Sequence, residues 1–197
     1  MTLLLKLSQL IDWINERIGK GAFWLVLLMT IISAGNASVR FAFNYSSNGL
    51  LEIQWYLFAA VFILCAPYTL QKNEHVRIDV LAGKLSPRGQ AVIDIIGTLF
   101  FLLPMVILVL WLSIPLVVDS FHIHEMSANE GGLLRWPVKV VLPIGFALLA
   151  LQGLSELIKR IAFLAGRIGD PNARDKGPSA EEELAAAIAA AKAKESK

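Results

Sequence analysis

Four stretches of the chain are almost wholly apolar: residues 22–39, 51–70, 91–118 and 140–163. Each is long enough for a helix to cross a hydrocarbon core of ~30 Å. The third is the longest. At ~1.5 Å per residue it would extend roughly 40 Å, so it must tilt, bend at Pro104 or leave the membrane near Pro115. Ahead of the first stretch the pattern changes. Leu3, Leu4, Leu7, Leu10, Ile11, Ile14 and Ile18 recur at helical spacing and fall within an arc of about 120°. Lys6, Gln9, Asp12, Asn15, Glu16 and Arg17 take the other side. That amphipathicity predicts an interfacial helix lying in the headgroup plane, with Gly19 and Gly21 ending it and turning the chain into the bilayer. The predicted fold is an all-α membrane protein: four transmembrane helices plus an N-terminal membrane-parallel amphipathic helix. Residues 1–19 form that helix, 20–165 the four-span domain, and 166–197 a tail that is a short helix or disordered.

The few polar residues inside these stretches refine the reading. Span one carries Ser33, Asn36 and Ser38 among Ala34, Gly35 and Ala37. Small residues let membrane helices approach closely and Asn bonds across an interface, so this reads as a packing face. Trp55 and Tyr56 mark an interface on span two, with Glu52 and Gln54 at headgroup depth. Ser86 and Pro87 make an N-cap and first helical position for span three. Asp94 stands near that span's start, and Gln152 and Glu156 near the exit of span four. In the tail, Ser179 and Glu182 form a capping box before an alanine-rich run.

Composition agrees: 56% of residues are hydrophobic and only 17% charged, against ~25% charged in soluble domains. A net charge of +2, with no basic face, excludes a nucleic-acid partner. The distribution of Lys and Arg fixes orientation. Lys6, Arg17 and Lys20 precede span one. Lys72, Arg77, Lys84 and Arg88 lie between spans two and three, and Lys159, Arg160, Arg167 and Arg174 follow span four. The other side has only Arg40, Arg135 and Lys139, balanced by Asp119, Glu125 and Glu130. The positive-inside rule places both termini in the cytoplasm.

Chemistry is sparse. An ionisable group at mid-membrane is costly and usually functional, and the middles of these spans hold none. Cys65 is alone, which removes disulfide-relay chemistry. His122, His124 and Glu125 suggest a metal at first sight, but on a helix the two histidines point about 160° apart. His75 is predicted on the opposite side of the membrane. No serine–histidine–acid set, paired carboxylates or phosphate loop is present, so no catalytic, cofactor, metal or substrate-binding residue is assigned. His75, Arg77 and Asp79 crowd one cytoplasmic loop, where they either set topology or contact another chain.

Taken in order, certain residues resemble a family. They are Glu52 and Gln54, then His75-Val76-Arg77-Ile78-Asp79, then Glu125 and Ser127 followed by Gly131-Gly132. Trp136-Pro137, Lys139, Leu142-Pro143, Gly145-Phe146 and Gln152 complete the set. It is similar to the small, DctQ-like permease subunit of tripartite ATP-independent periplasmic (TRAP) transporters, over residues 22–163. The resemblance implies a non-catalytic subunit in the bacterial inner membrane. It implies a partner too: a large multi-span permease that works as an elevator, carries the substrate and sodium sites, and receives organic acids from a periplasmic binding protein. Sodium would bind that partner and not this chain, whose other partners would be membrane lipids. Glu52, Gln54, His75, Arg77, Asp79, Glu125, Ser127, Trp136 and Lys139 are the candidate interface or structural residues. Two alternatives belong to other classes: a membrane-embedded metal or redox protein using His122, His124 and Glu125, and a self-assembling small channel.

Overall fold

The computed structural model describes residues 2–45, 47–73 and 85–171. Among them five α-helices make four membrane-length rods. Helix α1 is Thr2–Phe43, α2 is Asn48–Lys72, α3 is Pro87–Gly97 and α4 is Leu103–His122. Helix α5 is Trp136–Leu164. One π-helical turn, Thr98–Leu102, joins α3 to α4 into a rod of 36 residues. All four rods are long and apolar enough to cross a membrane, so the chain is a multi-pass membrane protein.

The first rod differs from expectation. The amphipathic segment and span one are one unbroken helix of 42 residues, and neither Gly19 nor Gly21 ends it. Gly19 serves another purpose: a Cβ there would stand 2.6 Å from the Cβ of Tyr68. Its missing side chain lets α1 lie directly against α2. A helix of this length measures about 63 Å, twice the hydrocarbon thickness. Its N-terminal third therefore continues beyond the depth needed to cross. Gly145 plays the matching role between α2 and α5, where a Cβ would collide with Ile63 Cγ2.

Span three is also longer than the apolar run suggests, extending to Pro87 and His122. It runs on through Pro115. The π turn ends two residues before Pro104, the residue whose missing N–H and ring disturb regular helical bonding. Ser86 caps this rod, its Oγ accepting from Gly89 N at 3.3 Å.

The interior is unlike that of a soluble bundle. Among the described residues, ten buried ones are polar or charged and six are hydrophobic, while Phe100, Phe101, Trp111 and many leucines face outward. This is what a bilayer demands, since lipid gives apolar side chains no reason to hide. In span one Asn36 is buried. Nothing lies within 4 Å of a Cβ built on Gly35, so its small neighbours leave an open face.

Candidate functional site

At the end of the bundle where α1 passes into α2, the segment 123–135 folds as a small hairpin on the start of α2. An isolated bridge joins Met126 to Leu134. Ser127 N donates to Leu133 O at 2.9 Å, and Arg135 N to Glu125 O at 2.9 Å. Gly131 turns the tip at φ +69°, a backbone conformation natural to glycine. Glu52 of α2 holds the hairpin from below. The residue is 3% exposed, and its carboxylate accepts from Leu133 N at 2.7 Å, from Asn129 Nδ2 at 2.8 Å and from Ser127 Oγ. Three donors replace the water a buried carboxylate loses. Asn48 Nδ2 adds a bond to Glu130 O at 2.9 Å.

A second acid, Glu125, ties the hairpin to α4 and α5. It accepts from Lys139 Nζ and from Ser120 Oγ at 2.7 Å, and Arg135 lies 3.6 Å away. The Lys139 bond, followed by that from Ser120, holds its carboxyl below the ordinary carboxylate range; partial burial opposes this less strongly. Trp136 meets the ring of Phe121 edge-on at 5.4 Å. His122 and His124 are exposed and pack on the same Phe121.

The opposite end of the bundle holds a larger polar network between α1 and α5. Gln152 is fully buried. It accepts from Asn15 Nδ2 at 2.7 Å and donates to Asp12 Oδ1 at 2.9 Å and Glu156 Oε1 at 3.2 Å. Ser155 pairs with Ser8 at 2.7 Å and donates to Asp12 at 2.8 Å. Lys159 bridges Asp12 and Glu156, and Arg160 reaches Asp94 of α3 at 3.3 Å. These groups sit one helical turn apart on two facing helices, so their stripes pair as layers.

Among the described residues, the polar networks thus lie toward the two ends of the bundle. The family described as tripartite ATP-independent periplasmic transporters, DctQ component, matches residues 29–163.

The chain belongs to the DctQ family.

A TRAP transporter small permease protein of Haemophilus influenzae is 28% identical over 117 residues, covering 58% of this chain and 73% of that protein. No solved structure matches. The DctQ match begins inside α1 and ends in α5, so it takes in all four rods. It omits Ser8, Asp12 and Asn15 while including their partners Gln152 and Ser155.

Of the residues expected to matter in this DctQ chain, Glu52 and Ser127 meet each other, and Glu125 meets Lys139. Trp136 joins the second group through Phe121. Gln54 is half-buried on α2, outside the Glu52 set. His75, Arg77 and Asp79 lie outside the described residues. Among those described, no three His, Cys, Asp or Glu side chains converge to hold a metal ion. Sequence reasoning missed Asn129, Ser120 and the whole Asp12–Gln152–Lys159 network. A signal existed: Gln152, Ser155, Glu156 and Lys159 follow helical spacing on one face of α5, as do Ser8, Asp12 and Asn15 on α1.

Proposed function

We propose that this DctQ-family subunit packs beside a large elevator-type permease and enlarges the fixed scaffold against which that permease moves. The complex drives sodium-coupled uptake of organic acids delivered by a periplasmic binding protein. The chain sits in the bacterial inner membrane with both termini cytoplasmic, and its own role is non-catalytic. The observation that carries this reading is the family match across all four rods. The physical layout supports it. A stator needs rigidity and breadth, and the two end networks tie the rods together while the apolar flanks stay free for lipid or a neighbour. Substrate and sodium sites belong to the large subunit in this reading.

Purification from native membrane in mild detergent tests the proposal. A large multi-span protein is expected to accompany the chain. The chain alone, in liposomes, is expected to show no sodium-dependent uptake. Sodium-driven uptake by the isolated chain, or recovery only of copies of itself, would overturn the scaffold reading.

A further inference from the structure

Among the described residues, only α1 itself lines one of its faces. Trp13 and Trp24 lie about 20° apart around the helix at 100° per residue, with Arg17 and Lys20 between them along the axis and flanking them on either side. The packed seam of Ser8, Ile11, Asn15, Gly19 and Ala22 is on the opposite side. The tryptophans are 56% and 72% exposed, and an open surface groove of about 620 Å³ is lined by α1 residues 13, 16, 17, 20, 21 and 24. Nothing stands within 4 Å of a Cβ built on Gly21, so the floor of this face is open.

Its chemistry is cationic and aromatic. The Arg17 guanidinium lies 5.5 Å from the centroid of the Trp13 ring, an arrangement that leaves the edge N–H groups free to meet an acceptor. Lys20 gives one bond to Glu16 at 2.6 Å and retains two further donors. Two cations, Arg17 and Lys20, thus share this face with one carboxylate, Glu16. The face lies where the apolar run of span one begins, the depth at which tryptophan anchors to headgroups.

We propose that this face binds the headgroup of an anionic phospholipid. Arg17 and Lys20 hold the phosphodiester, and an acyl chain runs along Gly21 and Trp24. Charge complementarity selects the occupant: basic side chains beside an anionic leaflet attract its lipids, and the two cations outnumber the single Glu16 carboxylate, which favours an anionic headgroup over a zwitterionic one. The inference does not depend on which permease the chain accompanies.

Native mass spectrometry of the full chain in detergent, titrated with phosphatidylglycerol or phosphatidylcholine, provides the test. One phosphatidylglycerol is expected to bind preferentially. Arg17→Gln with Lys20→Gln should weaken that site about thirtyfold and leave the phosphatidylcholine adducts and helix content unchanged. Equal binding of the two lipids, or equal phosphatidylglycerol binding by wild type and variant, would overturn the proposal. So would displacement of the lipid by millimolar inorganic phosphate, which would mark a site for a free anion. A photo-cross-linker at Trp24 that captures the large permease in place of lipid would assign the face to protein instead.

Discussion

Replacing Gln152 with leucine removes the centre of the network that fastens the N-terminal third of α1 to α5. The side chain is fully buried and makes three hydrogen bonds, to Asn15, Asp12 and Glu156. Interhelical hydrogen bonds in membranes average about 0.6 kcal/mol each, and leaving a buried amide unpartnered costs about 1–3 kcal/mol more. Asn15 is the amide at risk, because its Oδ1 already lacks a partner and its Nδ2 would then lose Gln152. Leucine fills similar space and offsets part of the loss, so the net effect should be about 2 kcal/mol. The Ser8–Ser155 pair and the Lys159–Asp12 ion pair remain, so the loss should be local. Hydrogen exchange of the protein in detergent reads it directly. Amides around residues 8–15 should open about thirtyfold more often, while those of α2 keep their rates. A double-mutant cycle with Asn15→Ala should return a coupling of about 0.6–1.7 kcal/mol. Unchanged exchange at α1, or equal acceleration throughout the bundle, would refute the idea that this network is what fastens α1.

Other expectations follow from single contacts. Gly145→Val drives side-chain atoms into Ile63 and should destabilise the α2–α5 contact by about 1–3 kcal/mol or more, seen as a lowered Tm in detergent; an unchanged Tm would contradict the close approach. Glu52→Ala removes the acceptor for Ser127, Asn129 and Leu133, so limited proteolysis should cut the 127–133 segment faster with the four spans intact, and wild-type cleavage rates would show that the hairpin stands without it. Glu125 has its folded carboxyl held below its ordinary value of 4.5, so its contribution is complete above that pH and is lost as pH falls through the lower folded value. Glu125→Gln should abolish that acid-dependent loosening of the hairpin, monitored by exchange at Arg135 N; persistence in the variant would assign the effect to another group.

The spans were legible because bilayer thickness imposes a length and a composition that any sequence must meet. The continuity of α1 was not. Glycine weakens an isolated helix, so Gly19 and Gly21 read as a break. What decides the matter is Tyr68, forty-nine residues away, whose ring needs the space that Gly19 leaves. Glu52 and Glu125 stood out as acids near helix ends, yet their partners come from a loop whose path follows from tertiary docking. The Gln152 network was hidden for a related reason. Asp12 and Asn15 look like the solvated face of an interfacial helix until α5 supplies a matching stripe, and each stripe alone is ambiguous.

The π turn at Thr98–Leu102 fixes how the third span can change length. A π turn holds one residue more than an α turn, so deleting one residue inside 98–102 could restore regular helix while keeping both flanks in rotational register. Asp94 would still face Arg160, and Ser120 would still face Glu125. The same deletion a few residues to either side would swing one half of the rod by about 100° and turn outward groups inward. Within this rod, the tolerance for gaining or losing a residue is therefore concentrated in five positions.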